Sequence, residues 1–482
     1  MNNTADIWIA QQQQQHLMAH LFPGDRDEHG AILRCGIVEG REGLRLLVRD
    51  VVPAVDGKDY VAGQHGYRAL QTDLIHRNIL ACRNERLAYL AVHNHDCDRS
   101  VAFSSTDLAS HERGYGALLD IGRGIPVGAL VFGRRSVEAD VWLPEGRRLA
   151  LGEYRVVGQV IERYYASPRR ASALGFSELD RQIRMFGAAG QSQLKRARVA
   201  IVGLGGVGSL VSEYLARLGV GHLLLIDPDQ IEDTNLARVV GATRVDVREQ
   251  RLKIEIAARV AREAQTDIDL TLLSADVSNC ETARHLVDCD FIFLAADSMR
   301  ARLLVNAVAH QYLVPVTQLG AKIRSGKDGA LIDAMSAIRQ IRPGQGCLWC
   351  NEFIDPGQLA IEAKSDEERK AQAYGTNEPN PSVITMNAVA AAHGVNDFLF
   401  DFLALRDGGD TQFAHHLFLQ HKLQKVTTGR SHGCPECGSR FARGDAPDLP
   451  CLPSAAPVKT DSKVSKAQGL WANLERLATF WR

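Results

Sequence analysis

The chain has 482 residues, of which 45% are hydrophobic and 23% charged, a composition typical of a globular protein with two or three domains. Its 56 basic and 57 acidic residues give a net charge of -1, so a nucleic-acid partner is not indicated. No apolar run approaches a membrane span of about 20 residues, and a glutamine run stands where a secretion signal would be apolar. We therefore expect a cytoplasmic protein without membrane attachment, in which the ten cysteines do not form a disulfide framework.

The first part of the chain alternates short strand-like runs with polar loops, and we expect it to form one domain over residues 1–165. The runs that predict strands are GLRLLVRDVVPA, RLAYLAVHNH, IPVGALVFG and YRVVGQVIERYY. Residues 166–179 then predict a linker between this domain and the next.

From residue 180 onwards, strand-like and helix-like runs alternate, which predicts a parallel sheet with helices on both faces over residues 180–440. The predicted strands are ARVAIVGLGG, HLLLIDPD and DFIFLAADS, and the predicted helices are VGSLVSEYLARLG, RLKIEIAARVAREA and NAVAAAHGVNDFLFDFLAL. Residues 355–380 are hydrophilic and predict a mobile crossover. Residues 441–482 predict a Pro/Ser linker that ends in a short helix with an apolar stripe.

A glycine-rich turn joins the first strand of this second domain to its first helix. Gly203, Gly205, Gly206 and Gly208 let the backbone pass close to a phosphate, and the helix N-terminus supplies N–H donors. Asp227 closes the next strand, where it can accept hydrogen bonds from ribose hydroxyls. Taken alone, the pattern suits an NAD-dependent oxidoreductase equally well.

The segments around the glycine turn indicate which class of nucleotide-binding protein this domain belongs to. LDRQIRMFG precedes the turn, DPDQIEDTNLAR, RLKIEIAARV and LAADSMRAR follow it, and two Cys-x-x-Cys pairs come later. In this order the segments resemble the ThiF/MoeB-like adenylyltransferases and the ubiquitin-activating enzymes, over about residues 178–440. The resemblance implies that ATP binds at the glycine turn and that the C-terminal glycine of a ubiquitin-like protein attacks its α-phosphate.

The same resemblance implies roles for individual residues. Asp227 would bind ribose, Asp297 would hold Mg²⁺ near the reacting phosphorus, and Arg181 would act in trans within a homodimer. Three residues would contact the triphosphate: Asn235, Arg238 and Lys253. Such cations and a metal suit the chemistry, because in-line attack builds negative charge on the α-phosphate oxygens.

The two Cys-x-x-Cys pairs have the spacing of a closed, structural Zn²⁺ site, with four unrelated buried thiols as the alternative. Its ligands would be Cys347, Cys350, Cys434 and Cys437. Relatives that form a thioester carry a cysteine in or after the crossover, but residues 351–433 contain none. Thioester formation, with Cys451 as its candidate, and a ubiquitin-conjugating enzyme as a partner therefore stay open.

The stretch AVHNHDCDRSVAFSSTDLAS in the first domain combines a strand end with the start of a helix. His93 and His95 share one face of the strand, because strand side chains alternate. With Asp107 they would give Zn²⁺ three ligands and leave its fourth position open, as in hydrolytic sites. Ser104 could stabilise an oxyanion, and Glu28, directly before an apolar strand, could act as a base. Solvated loop histidines and a metal-free binding module are the alternatives.

An upstream glutamate, His-x-His and Ser-x-x-Asp resemble the JAMM (JAB/MPN) metalloproteases over about residues 15–165. The resemblance implies the same three zinc ligands, general acid–base catalysis by Glu28 and a stabilising hydroxyl on Ser104. An aspartate replaces the usual proline after the second histidine, and the spacer is one residue longer than is common. Glu39 and Glu42 are alternatives for the base.

Together the two resemblances predict a JAMM-type α/β zinc-hydrolase domain followed by a Rossmann-like adenylation domain with a structural zinc. Such an enzyme would use ATP, Mg²⁺ and two Zn²⁺ ions to adenylate the C-terminal glycine of a ubiquitin-like protein and to hydrolyse bonds at that terminus. Such a fusion resembles components of bacterial ubiquitin-like conjugation systems, some of them antiviral, and the resemblance implies a role of that kind. The alternatives are sulphur-carrier activation with tail trimming, an NAD-dependent oxidoreductase and a non-catalytic scaffold.

Overall fold

Two eight-stranded sheets organise the residues that the computed structural model describes, which are 3–41, 43–61, 69–168, 178–326, 328–364, 381–408, 412–431 and 433–452. The first sheet contains β1 (Thr4–Ala10), β2 (Gly30–Gly40), β3 (Gly43–Pro53), β4 (Ala88–Asn94), β5 (Val127–Phe132), β6 (Val137–Trp142), β7 (Arg148–Val157) and β8 (Ile161–Tyr164). Its helices are α1 (Gln11–Leu21), α2 (Thr72–Glu85) and α3 (Ser105–Gly122). The first three predicted runs form β3, β4 and β5. The fourth, YRVVGQVIERYY, forms the end of β7 and all of β8.

The strands of the second sheet follow in chain order. They are β9 (Arg198–Val202), β10 (His222–Ile226), β11 (Asp269–Leu273), β12 (Phe291–Leu294), β13 (Val316–Ser325), β14 (Leu331–Ile341), β15 (Gln412–Leu417) and β16 (Lys422–Thr427). The helices are α4 (Asp180–Arg196), α5 (Gly206–Arg217), α6 (Arg244–Arg248), α7 (Lys253–Ala264), α8 (Cys280–Val287), α9 (Met299–Gln311), α10 (Pro356–Glu362) and α11 (Ile384–Phe402). Among the described residues, no helix combines the length and apolar character that crossing a bilayer requires.

The second sheet is only partly the parallel sheet that the sequence predicts. Its order is β11-β10-β9-β12-β13-β14-β15-β16, with parallel pairing from β11 to β13 and antiparallel pairing from β13 to β16. The prediction of a wholly parallel sheet is wrong because a short turn joins β13 to β14, and such a turn can connect only antiparallel strands.

The parallel strands create a crevice where ligands can bind. β10 lies on one side of β9 and β12 on the other, while α5 and α7 pack on one face and α8 and α9 on the opposite face. The loops after β9 and β12 therefore diverge at a topological switch point. In open α/β sheets, ligands bind at such a point, outside the carboxyl ends of the strands.

The two sheets share a continuous core rather than being joined only by a polar linker. Trp8 and Val157 of the first sheet belong to the same buried cluster as Ala200 and Ile292 of the second. Charged groups also meet at this junction. Arg155, which is 7% exposed, contacts Asp290 at 2.7 Å, and the Arg45 guanidinium donates to the Val287 carbonyl. The junction thus buries apolar and charged groups from both sheets, and the division into residues 1–165 and 180–440 stays a prediction.

Residues 441–452, which we call the strap, were predicted to begin a linker but instead lie against both sheets. The Ala442 amide donates to the His310 carbonyl of α9. Asp445 donates through its amide to the Ile37 carbonyl of β2 and accepts from the Glu39 amide. The predicted C-terminal helix falls within residues 453–482, which lie outside the described residues. Three other predicted features also lie outside them: Glu42, residues 169–177 of the predicted linker and residues 365–380 of the predicted crossover.

The end of the strap carries one disulfide, while the other eight cysteines are free thiols in this structure. Cys451 is bonded to Cys280, 171 residues earlier. The Leu452 amide donates to the Ser278 carbonyl and the Leu452 carbonyl accepts from the Cys280 amide, so the backbone brings the two Cα atoms to 5.0 Å. Cys451, proposed from the sequence as a thioester candidate, is therefore not a free thiol in this structure.

Candidate functional site

The glycine turn between β9 and α5 has the geometry that the sequence predicts. Gly203 has a φ of 90°, which favours glycine, and its amide donates to the Ile226 carbonyl of β10 at 2.8 Å. A Cβ on Gly203 would lie 2.7 Å from the Ala296 amide nitrogen, and a Cβ on Gly208 would overlap the Gly203 carbonyl oxygen. These two glycines let α5 and the loop after β12 approach the turn closely.

The other two glycines face the crevice and its rim. A Cβ on Gly205 would meet no atom within 4 Å, so space is open above this backbone. A Cβ on Gly206 would contact the Asn387 amide of α11 and lie 3.4 Å from Cδ of Arg238. The structure thus brings Arg238 beside the glycine turn, as the sequence predicts, and adds Asn387, which no motif had indicated.

Asp227 ties together the loops that follow β9 and β10. It is 5% exposed and accepts hydrogen bonds from the Leu204 amide at 2.6 Å and the Asp229 amide at 2.9 Å. Burial raises its pKa. Each oxygen has one donor and retains a further lone pair, which leaves Asp227 able to accept from a ligand hydroxyl.

The three residues predicted to contact a triphosphate are held by local partners on the β10 side of the crevice. Lys253 Nζ lies 2.7 Å from Asp229 Oδ2, and Arg238 donates to the Thr234 carbonyl at 2.6 Å. Asn235 is buried and donates to the Thr234 hydroxyl. The Lys253 side chain is largely buried, but its partner Asp229 is exposed, so this ion pair is open to solvent on one side.

Asp297 lies on the opposite side of the crevice, exposed in the loop after β12. The next helix, α9, is capped by Ser298, and its Met299 and Arg300 amides both donate to the Glu362 carboxylate of α10 at 3.0 Å. The sequence did not identify Glu362, because the helix that carries it lies in the predicted crossover. One exposed carboxylate beside a phosphate site suits Mg²⁺, which is usually bound by few protein oxygens plus substrate phosphates.

Arg181 is the one predicted nucleotide-site residue that the fold does not bring to the crevice. It is exposed on the first turn of α4. Its action across a dimer interface stays a prediction.

The four cysteines of the two Cys-x-x-Cys pairs converge, with all four Sγ atoms within 4.8 Å of one another. Cys347 lies 3.6 Å from Cys350 and 3.7 Å from Cys434, and Cys350 lies 3.6 Å from Cys437. Zn–S bonds of about 2.3 Å in a tetrahedron give S–S edges of about 3.8 Å, so the residues fit Zn²⁺. A hydrogen bond from Cys437 holds the pKa of the Cys347 thiol well below its usual range.

His93, His95 and Asp107 also converge, at the carboxyl end of β4. The Nε2 atoms of the histidines are 3.2 Å apart, and Asp107 Oδ2 lies 3.5 Å from His93 and 3.7 Å from His95. Zn–N and Zn–O bonds of about 2.05 Å give tetrahedral edges of about 3.3 Å, so this set fits Zn²⁺ as well. The proline of the JAMM pattern is replaced by Asp96, which is exposed and pairs with Arg134 at 3.6 Å.

Ser104 and Asp107 form a capping box at the start of α3. The Asp107 amide donates to Ser104 Oγ, while the Ser104 amide and hydroxyl donate to Asp107 Oδ2 at 2.8 and 2.7 Å. Although burial acts to raise it, hydrogen bonding from His93 and Ser104 holds the pKa of Asp107 well below its usual range. The Ser104 hydroxyl therefore orients the carboxylate, whereas its predicted contact with an oxyanion stays a prediction.

The register of β2 distinguishes between the candidate bases. Gly30 pairs with His93, so Glu28 lies beside the histidines, with Oε1 3.9 Å from His95 Nε2. Burial raises the pKa of Glu28. Glu39 instead pairs with Leu44 at the far end of the strand, about 30 Å away at 3.3 Å per residue. Glu28 is the better placed of the two.

Comparison with known proteins matches residues 179–431 to the ThiF family. The sulfur carrier protein ThiS adenylyltransferase of Bacillus subtilis is 36% identical over 166 residues, which are 34% of this chain and 46% of that protein. The molybdopterin-synthase adenylyltransferase of Escherichia coli is 32% identical over 168 residues, 35% of this chain and 64% of that protein. The chain thus spans between about half and two thirds of the length of these two relatives.

A third relative matches along nearly its whole length. The sulfur carrier protein ThiS adenylyltransferase of Escherichia coli is 26% identical over 273 residues, 55% of this chain and 97% of that protein. The family match takes in more than half of the chain and includes the glycine turn, Asp227 and Asp297, but does not reach the first sheet. This chain belongs to the ThiF family.

Proposed function

We propose that the second sheet adenylates the C-terminal glycine of a ubiquitin-like or sulphur-carrier protein with ATP. The observation that carries the proposal is the switch-point crevice, where an open glycine turn lies between cations on the β10 side and Asp297 on the β12 side. The relatives are named adenylyltransferases of a sulfur carrier protein and of molybdopterin synthase. None of them supports the oxidoreductase alternative.

The residues around the crevice would bind and orient ATP. The turn and the α5 N-terminus offer backbone N–H groups to the phosphates, and Asp227 accepts from the ribose. Arg238 and Lys253 would exchange the Thr234 carbonyl and Asp229 for phosphate oxygens. Asp297 would hold Mg²⁺, which when bound would neutralise charge on the α-phosphate.

The reaction is a single displacement. An oxygen of the glycine carboxylate forms a bond to the α-phosphorus, and the bond from that phosphorus to the oxygen bridging to the β-phosphate breaks. The electron pair leaves with pyrophosphate, and the carrier retains an acyl-adenylate. Arg238 and Lys253 act on the leaving group, because attacking and leaving oxygens are in line and these cations lie on one side of the crevice.

The step after adenylation depends on a partner. Residues 351–433 contain no cysteine, and Cys451 is bonded to Cys280. We therefore propose that the acyl-adenylate passes to another molecule. A sulphur donor would fit the sulphur-carrier alternative, and a ubiquitin-conjugating enzyme would fit a bacterial conjugation pathway. A homodimer completed by Arg181, a cytoplasmic location and an antiviral role belong to the same proposal.

Pyrophosphate exchange tests the adenylation. The wild type should incorporate labelled pyrophosphate into ATP when a ubiquitin-like carrier is present, and Asp297→Ala should reduce the rate about 100-fold or more. Asp269→Ala is the matched control, because Asp269 is exposed at the amino end of β11, away from the crevice. Full exchange by Asp297→Ala would contradict the assignment of this carboxylate.

A second proposed activity, hydrolysis of a peptide or isopeptide bond at the carrier's C-terminus, rests on the convergence of His93, His95 and Asp107 at the end of β4. These residues would hold Zn²⁺, which when bound would lower the pKa of a water molecule and polarise the scissile carbonyl. Glu28 would take a proton at Oε1 and return it to the leaving nitrogen. Ser104 would keep Asp107 in its ligating orientation.

The hydrolytic proposal is tested without nucleotide. A carrier with a C-terminal extension should be cut by the wild type, and His93→Ala should lose both zinc and cleavage. Cleavage by His93→Ala at the wild-type rate would exclude this site. No cleavage by the wild type would leave a binding module instead.

A further inference from the structure

Asn94 stands between the two histidines of the candidate zinc site, but its side chain lies on the opposite face of β4. Strand side chains alternate between faces, so His93 and His95 share one face and Asn94 occupies the other. Asn94 is 5% exposed. A buried amide side chain needs a hydrogen-bond partner, because an unpaired buried polar group is unfavourable. The partner of Asn94 therefore indicates what this residue does.

The side chain of Asn94 holds the segment that carries Glu28. The pairing of β2 with β4 ends at Gly30 and His93. One residue earlier in β2, the His29 amide donates to Oδ1 of Asn94 at 2.6 Å, across 65 residues of sequence. A side chain thus continues the attachment of this segment to β4 beyond the last strand pair.

Two further side chains hold the same segment. Nε2 of His29 lies 2.9 Å from Asp25 Oδ1, and the Gly30 amide donates to the Tyr60 hydroxyl at 2.8 Å. Of these three side-chain contacts, only that of Asn94 comes from β4, the strand that carries the two histidines. Asn94 therefore links the segment directly to the proposed metal ligands.

The position of the Glu28 carboxylate depends on this link. Glu28 immediately precedes His29, and its Oε1 lies 3.9 Å from His95 Nε2. A general base must come within about 3 Å of the atom whose proton it takes, and a misplacement of about 1 Å can reduce a rate about 100-fold. If the His29 amide moved away from Asn94, the adjoining carboxylate would move relative to the histidines.

We propose that Asn94 is a positioning residue, which sets the distance of the Glu28 carboxylate from the two histidines by accepting a hydrogen bond from the His29 amide. Asn94 touches neither substrate nor metal in this assignment. The assignment rests on the proposed hydrolysis, because that reaction gives the Glu28 carboxylate its task. It also places a requirement on the middle residue of His-x-His, whose side chain must here be a hydrogen-bond acceptor.

Steady-state cleavage of a carrier with a C-terminal extension, without nucleotide, tests the assignment. Asn94→Leu keeps a side chain of similar size that cannot accept from the His29 amide, so kcat should fall about 10- to 100-fold while KM stays within about twofold. Asn94→Asp keeps an acceptor oxygen and should recover part of the lost kcat. An unchanged kcat in Asn94→Leu would overturn the assignment, as would an equal loss in Asn94→Asp.

Asn78→Leu is the matched control. Asn78 is also 5% exposed, but its Nδ2 donates to the Leu74 carbonyl within α2. Both leucine variants remove a buried hydrogen bond, so both should lower the free energy of unfolding, whereas only Asn94→Leu should lower kcat. An equal fall of kcat in Asn78→Leu would attribute the effect to lost stability and refute the positioning role.

Zinc affinity gives a readout that does not need cleavage. It is measured for the histidine site by chelator competition, with the four-thiolate site kept loaded, in a cycle of Glu28→Gln and Asn94→Leu. A carboxylate 3.9 Å from a ligand atom favours a dication, so Glu28→Gln should weaken zinc binding about threefold or more, while the site still fills at saturating zinc. The effect should be smaller in the Asn94→Leu chain, where the carboxylate is no longer held. Equal effects in both chains would overturn the assignment.

The contact itself is tested in the wild type by hydrogen exchange. The His29 amide should exchange about 100-fold or more slowly than the amide of Asp27, which donates only to the exposed side chain of Asp25. Equally fast exchange of the two amides would refute the hydrogen bond to Asn94, and with it the positioning role.

These readouts separate the positioning role from the proposed hydrolysis. Coupling between Glu28 and Asn94 in zinc affinity, without cleavage of any carrier, would support the positioning role and refute the hydrolysis. Cleavage that is insensitive to Asn94→Leu would support the hydrolysis and refute the positioning role.

Discussion

The ionised carboxylate of Glu153, which pairs with Arg155 at the junction between the two sheets, should stabilise the folded protein. Its carboxylate accepts from Arg155 Nε at 2.6 Å and from the Tyr165 hydroxyl at 2.8 Å, and Arg163 lies 3.5 Å away. Although burial acts to raise it, these partners lower the pKa of Glu153 from 4.5 to about 2. Because tenfold in an equilibrium constant is about 1.4 kcal/mol, this difference corresponds to about 3 kcal/mol of folding free energy at neutral pH.

The pH dependence has a defined sign. The pKa is lower in the folded protein, so the stabilisation is fully present above about pH 4.5 and is lost as the pH falls toward 2. Glu153→Gln should therefore lower the free energy of unfolding by about 3 kcal/mol at pH 7, and the difference from wild type should shrink below pH 4.5. Guanidinium-induced unfolding of both proteins over a pH series measures it.

The control for this experiment is Glu145→Gln. Glu145 pairs with Arg147 at 3.1 Å but is exposed, so its loss should change stability by less than about 1 kcal/mol. A difference between wild type and Glu153→Gln that stays constant from neutral to acid pH would refute the reasoning. So would a difference at pH 7 no larger than that of the control.

Three further outcomes are expected. Gly208→Ala should weaken ATP binding measured by calorimetry, because its Cβ would overlap the Gly203 carbonyl; unchanged affinity would contradict the turn geometry. Cys437→Ser should lower the zinc content from about two ions per chain to about one and destabilise the fold; two retained ions would exclude a four-thiolate site. Glu28→Gln should keep zinc but lose cleavage about 100-fold or more, whereas Glu39→Gln should be unaffected; equal rates for both would move the base elsewhere.

Locally encoded features could be predicted from the sequence. The strand–turn–helix around Gly203 was predictable because the positive φ of Gly203 and the close approach of Gly208 to the Gly203 carbonyl both act within a few residues. The same holds for Ser104 and Asp107, where one spacing gives both a capping box and a candidate metal ligand. The spacing identifies Ser104 and Asp107, but it does not show whether the Ser104 hydroxyl orients Asp107 or contacts an oxyanion.

Features that depend on distant partners could not be predicted. Arg339 resembles any other strand arginine in the sequence, and its position beside the Phe353 ring and Arg302 follows only from tertiary packing. Glu362 reaches the start of α9 across 62 residues. In the antiparallel extension, β14 and β15 are separated by the crossover and by α11, so their pairing leaves no local pattern, whereas short connections join β13 to β14 and β15 to β16.

The contact surface between the two sheets could not be predicted from the composition of the linker. Residues 166–179 are polar, but composition reports only the covalent connection, whereas the contact surface uses Trp8 and Val157 from other parts of the first sheet. Trp8 lies between the guanidiniums of Arg45 and Arg155, at 4.0 and 4.2 Å from its ring. In the sequence such arginines look like solvated surface residues. A fragment ending at residue 165 would expose the indole and leave Arg155 without Asp290, so either half alone would lack contacts that stabilise the whole chain.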